Sequence, residues 1–135
     1  MPFAIRGERN MKTTIGEVLS YFDNQVPNQY SDEEKIRWLN EIEAQIYNDI
    51  IKTHKDADKI AFNGYTADTD INTQMIVPLE YSELYRFWLE KSVHYANGEI
   101  DRMNNAMTMF QSYYDNFYAA YNRAHRPIGV HGYRL

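Results

Sequence analysis

Residues 81–121 constrain this chain more than any other stretch. They contain no proline, and apolar or aromatic side chains recur along them at helical spacing. Tyr81, Tyr85, Trp88, Ser92 and Tyr95 form one stripe; Ile100, Met103, Met107, Phe110, Tyr114, Phe117 and Tyr121 form another, in alternating steps of three and four. Such steps put each set on one helix face. The last turns are the densest, with Phe110, Tyr113, Tyr114, Phe117, Tyr118 and Tyr121 all within reach of that face. Tyrosine suits a surface that is half core and half contact, because its ring buries area while its hydroxyl stays wet or finds a partner. The pattern predicts architecture and assembly rather than catalysis.

A length of 135 residues suits a single domain with one core. The chain has no cysteine, so disulfides and thiolate metal sites are excluded, which fits a reducing compartment. No apolar run approaches the roughly 20 residues that span a bilayer. The opening MPFAIRGERN lacks an apolar h-region, so it does not read as a signal peptide. The expectation is a soluble intracellular product. The net charge of −5 is unevenly spread: residues 13–121 hold eight basic and eighteen acidic residues, a balance of −10, while both ends are basic. An acidic body argues against wrapping nucleic acid, which needs clustered Lys and Arg. Basic ends can dock on an acidic partner or remain solvated.

Four helices are predicted, near residues 14–24, 31–53, 79–97 and 99–123, giving an all-α, four-helix bundle-like subunit. Thr14-x-x-Glu17 and Ser31-x-x-Glu34 are capping boxes. Pro27 stops the first helix, and Asn97-Gly98 separates the third from the fourth. The alternative at that point is one long helix kinked at Gly98; an antiparallel hairpin suits a compact domain better. Ile42, Ile46, Leu84, Trp88, Met107 and Phe110 are expected in the core. Residues 1–13 read as an extended arm, with Met11 an alternative start. Residues 14–126 read as the helical domain, and 127–135 as an extended tail after Pro127. Residues 54–78 form a long polar loop with at most a small hairpin, containing the turn signal Asn63-Gly64 between Phe62 and Tyr65, and a short extended run Met75-Ile76-Val77. A loop of this length is usually functional or disordered.

Chemical motifs are weak. Asp68-Thr69-Asp70-Ile71-Asn72 opens like a calcium loop, but the sixth position is Thr73 rather than Gly and the twelfth is Leu79 rather than Glu. His54, His94, His125 and His131 show no paired ligand spacing. No phosphate-binding or nucleophile-elbow motif occurs. Glu41 and Glu43 read as a solvated helix face, and the methionines Met103, Met107 and Met109 as core or interface. No catalytic residue, metal or cofactor is expected.

The whole order carries a resemblance. A short helix precedes one bearing Trp38-Leu39-Asn40-Glu41-Ile42-Glu43. A polar loop then leads through Val77-Pro78 to Tyr81-Ser82-Glu83-Leu84-Tyr85, followed by Tyr95-Ala96-Asn97-Gly98-Glu99, Asn104-Asn105, Met109-Phe110 and Tyr121-Asn122-Arg123-Ala124-His125-Arg126-Pro127. Over about residues 12–127 the chain resembles the small head–tail connector proteins (adaptor or head-completion proteins) of tailed bacteriophages. The resemblance implies a non-enzymatic virion protein, made in the host bacterial cytoplasm. It implies a homo-oligomeric ring, usually of twelve copies, beneath the portal protein, with a stopper or tail protein below and double-stranded DNA passing through; no membrane is involved. On that reading, Phe62, Asn63, Gly64 and Tyr65 meet a neighbouring subunit or the next ring. Phe110, Tyr113, Tyr114, Phe117 and Tyr121 supply a packing face. Arg126, Ile128, Val130, Tyr133 and Arg134 dock on the portal, because a glycine-flanked strip ended by arginines can lie along an acidic partner. The competing expectation is a helical adaptor or regulator that dimerises through residues 103–121.

Overall fold

The computed structural model describes residues 11–55 and 57–125. A short strand, β1 (Lys12–Thr14), runs directly into α1 (Ile15–Gln25). Thr14 is the N-cap: its hydroxyl accepts the Glu17 N–H, and the Glu17 carboxylate accepts the Thr14 N–H, so donors that the first turn leaves unpaired are satisfied reciprocally. Ile15, Val18, Leu19 and Phe22 form the buried face of α1. Helix α2 (Asp32–Asp49) starts at Ser31, whose hydroxyl accepts the Glu34 N–H, with Asp32, Glu33 and Glu34 at the positive helix end. It ends earlier than expected, because residues 51–53 tighten into a 3₁₀ turn.

The segment after His54 carries another 3₁₀ turn (Ala57–Lys59), and then β2 (Gln74–Pro78) leads through a 3₁₀ turn (Leu79–Tyr81) into α3 (Glu83–Ala96) and α4 (Ile100–Ala124). Between α3 and α4, Gly98 sits at φ +76°, a left-handed conformation that glycine adopts without cost to a side chain. Its N–H donates to the Tyr95 carbonyl, and the Glu99 N–H donates to the His94 carbonyl. This is the Schellman pattern. The two helices therefore form an antiparallel hairpin, not one kinked rod.

The chain is mostly helical, but the all-α expectation is corrected by a two-stranded antiparallel sheet, β1 against β2, with Lys12 opposite Pro78 and Thr14 opposite Gln74. The Met75–Val77 run was visible as extended in the sequence. Its partner lies some sixty positions upstream, in residues that read as irregular, and nothing local announces a pairing of that span. The Lys12 ammonium reinforces it by donating to the Ile76 carbonyl at 2.9 Å.

Helix α3 is the hub, packing on α1, α2 and along α4. Leu84, Tyr85 and Leu89 on it are wholly enclosed and belong to the same core cluster as Phe22, Leu39, Ile42 and Ile46. Trp88 and Met107, expected in the core, are only partly buried against it. Trp88 is instead an edge anchor: its indole N–H donates to the Trp38 carbonyl at 2.8 Å, and the Lys91 ammonium lies 3.6 Å from its ring centroid.

Candidate functional site

The centre of the molecule is polar. Glu43 on α2 is 0% exposed. Its Oε1 accepts the Tyr85 hydroxyl at 2.5 Å, and its Oε2 accepts the Tyr65 hydroxyl at 2.7 Å and the Ile76 N–H at 2.9 Å. The Tyr85 hydroxyl in turn accepts the Val77 N–H at 3.0 Å. One carboxylate thus joins α2, the long loop, β2 and α3. Burial pushes the Glu43 carboxyl above the usual carboxylate range, opposed by its donors from Tyr85, Tyr65 and Ile76 and by the charge of Lys12. Burial and the facing carboxylate push both tyrosines upward as well. A buried charge of this kind is tolerable only when fully hydrogen-bonded, and here every donor comes from inside the fold.

Glu43 was read from sequence as part of a solvated face. The missed signal is its spacing: it stands four residues after Leu39, seven after Ile36 and three before Ile46, within the buried stripe of α2. A charged residue at such a position announces a buried partner, though not which one.

The loop residues singled out from sequence separate into two kinds. Tyr65 is buried, its N–H donating to the Asn40 side-chain oxygen at 2.8 Å and its hydroxyl to Glu43. Phe62 is half-buried, edge-on to Tyr65 and tilted against Tyr47. Only Asn63 and Gly64 stay exposed, Gly64 at φ +96°. The aromatic face of α4 is likewise divided. Phe110, Tyr114, Phe117 and Tyr121 are buried, and Tyr113 is half-buried and stacked on Phe87. Phe110 meets Trp88, Phe117 meets Tyr81, and Tyr121 stands edge-on to the buried His54. His54 is itself held by the Ile50 carbonyl and the Asn122 side chain.

What α4 leaves outside is Ile100, Met109 and Tyr118. At about 100° per residue, Ile100 and Tyr118 lie on one flank of the buried stripe and Met109 on the other. Among the described residues the most exposed large apolar side chain is that of Tyr95, at the same hairpin end as Ile100. The tail residues Arg126, Ile128, Val130, Tyr133 and Arg134 lie outside the described residues.

Among the described residues, two of the surface grooves border the strand pair. The first, of about 420 Å³, runs between α1 and the start of α3, walled by Met11, Thr13, Val18, Tyr21, Leu79 and Arg86. The second, of about 320 Å³, lies where α4 ends, between Ile60, Pro78, Tyr81, Phe117, Tyr121 and His125. Among the described residues no three His, Cys, Asp or Glu side chains converge on a metal-binding position. The Asp68–Asn72 segment instead closes a local turn in which the Asn72 N–H donates to Asp70 at 2.9 Å. No helix among the described residues is long and apolar enough to cross a membrane.

No protein-family model, curated protein or solved structure matches the chain.

Proposed function

We propose that this chain is a structural subunit of the head–tail connector of a tailed bacteriophage, forming a ring beneath the portal through which DNA passes. One observation carries the reading. Some of the residues on which the resemblance rests take part in the internal hydrogen bonds: Glu43, Val77 and Tyr85 share those of the lock, and the Trp38 carbonyl takes the Trp88 indole. That centre is enclosed, with its donors supplied internally. What the molecule turns outward is two grooves, an apolar hairpin end at Tyr95 and Ile100, and an acidic body. An acidic surface favours a passage through which DNA slides without being gripped.

The inward turn of Phe110, Tyr114, Phe117 and Tyr121 leaves the dimeric-adaptor alternative little of the face it would use. The decisive experiment labels the protein and images tailed particles. Label at the head–tail junction, together with a monomer in free solution that forms rings on the portal of its own phage, is the expected outcome. A stable dimer in solution, with label absent from that junction, refutes the proposal.

A further inference from the structure

The dipeptide Asn-Gly occurs twice in the chain, at Asn63-Gly64 and at Asn97-Gly98. It carries a reactivity of its own. The main-chain nitrogen that follows an asparagine can attack the side-chain amide carbon, and glycine, with no Cβ, hinders that approach least. All four residues are exposed, and both glycines have positive φ, +96° at Gly64 and +76° at Gly98. Sequence and solvent access therefore do not distinguish the two sites. Hydrogen bonding does. At the second site the reacting groups are held. The Gly98 N–H, whose nitrogen would be the nucleophile, donates to the Tyr95 carbonyl at 3.1 Å, and the Asn97 side-chain oxygen accepts the Tyr30 hydroxyl at 2.6 Å. Asn97 itself closes α3 in helical conformation at ψ −3°, with its N–H on the Val93 carbonyl. Ring closure would have to rotate that ψ, and with it break the bonds that end the helix. At the first site the tip is free: among the described residues, neither the Asn63 side chain nor the Gly64 N–H makes a hydrogen bond. The fixed groups stand on either side of it. Phe62 packs on Tyr47 and Tyr65, and Tyr65 is held by Asn40 and Glu43.

We propose that Asn63 is a site of spontaneous deamidation, and that Asn97 is guarded against the same reaction by the hydrogen bonds of its helix end. The inference stands apart from the connector reading. The Gly64 nitrogen forms a bond to Cγ of Asn63; the Cγ–Nδ2 bond breaks, and ammonia leaves with the proton of the Gly64 N–H. One water then opens the cyclic imide. Breaking its bond from nitrogen to the side-chain carbon leaves aspartate at position 63. Breaking the bond to the main-chain carbon leaves isoaspartate, with the main chain routed through the side chain. Nothing is oxidised or reduced, and water is the only co-reactant. Either product adds a negative charge at the loop tip. Isoaspartate also lengthens the main chain by a carbon just before Tyr65, whose N–H and hydroxyl are both fixed to internal partners. That product therefore strains the internal lock.

The parent chain is itself the test material. It is aged at mildly alkaline pH, folded in one arm and in strong urea in the other, and digested with trypsin. Cleavage after Lys59, Arg86, Lys91 and Arg102 puts the two sites on separate peptides, 60–86 and 92–102. Mass spectrometry reads the change from amide to acid, and fragment ions distinguish Asn63 from Asn72 on the same peptide. In the folded arm residue 63 should deamidate about tenfold faster than residue 97, which reacts only after its hydrogen bonds open. In urea the two rates should converge, because both sites are Asn-Gly. Equal rates in the folded arm, or a faster reaction at 97, overturn the proposal. So does a residue 63 that reacts in urea and stays intact in the folded chain, since the tip is then guarded as well. The strain on the lock is read separately. The aged acidic fraction, isolated by ion exchange, should unfold at lower urea than Asn63→Asp, which carries the same charge on an unlengthened main chain. An equal midpoint overturns that part.

Discussion

Removing the hydroxyl of Tyr85 tests the internal lock most directly. Tyr85 is 0% exposed, and Tyr85→Phe deletes two hydrogen bonds without changing the packed ring. The bond to Glu43 is to a charged group, and such bonds contribute about 1.5–3 kcal/mol. Its loss also leaves the Val77 N–H buried without its acceptor, which costs about 1–3 kcal/mol. Together the variant should lose about 2.5–6 kcal/mol, a large part of the roughly 5–15 kcal/mol that holds a domain of this kind folded. Tyr65→Phe removes a single bond to the same carboxylate, and Oε2 keeps the Ile76 N–H, so the loss should be about 1.5–3 kcal/mol. Because both hydroxyls serve one carboxylate, the double variant should be non-additive. Urea denaturation followed by the fluorescence of Trp38 and Trp88 reads all three. A Tyr85→Phe variant within about 0.5 kcal/mol of the parent, inside the range of ordinary surface changes, or a Tyr65→Phe variant that loses more, would refute the reasoning.

The remaining predictions are narrower. Glu43 has a folded-state pKa raised above its ordinary 4.5 by burial, so its contribution is fully present below that value and is lost as pH rises toward the folded pKa. The stability of the parent relative to Glu43→Gln should therefore fall as pH rises from 4.5, measured by urea denaturation at successive pH values; a difference that grows with pH contradicts the assignment. Gly98→Ala meets no atom within 4 Å but must hold a left-handed backbone at φ +76°, so it should cost about 1–2 kcal/mol with an unchanged helical spectrum. Thr14→Ala removes one half of the capping box and should cost about 1 kcal/mol in thermal or chemical unfolding. Phe110→Ala, at 2% exposure, should cost about 3–5 kcal/mol, whereas Tyr118→Ala on the exposed flank should leave stability within about 0.5 kcal/mol of the parent.

The internal lock limits how the long loop can be tested. Replacing residues 57–72 with a flexible linker would remove Tyr65 and one donor to Glu43, so lost assembly would be confounded with lost stability. Asn63 is exposed, and Asn63→Ala probes a contact made by the loop with a neighbouring subunit while leaving the lock intact.

The helices were determined locally, and the sequence alone sufficed for them. The capping box at Thr14 and the N-cap hydroxyl of Ser31 act across three residues, although the Glu34 carboxylate pairs with Arg37 and does not close the box expected at Ser31, and Gly98 ends α3 through the conformations open to a residue without a side chain. Apolar period likewise marked Ile42, Ile46, Leu84 and Phe110 for burial. The tertiary structure decided three other matters. It paired Lys12–Thr14 with Gln74–Pro78, because a strand partner is chosen by register and burial across the chain and not by neighbours. It turned Tyr65 inward, where the turn signal Asn63-Gly64 implied an exposed tip, because a buried carboxylate supplies an acceptor that its hydroxyl and ring can reach together. It also turned most of the α4 aromatic face into core. Periodicity shows that Phe110, Tyr114, Phe117 and Tyr121 share a face, but only the packing of α3, Tyr81 and His54 against that face fixes what covers it.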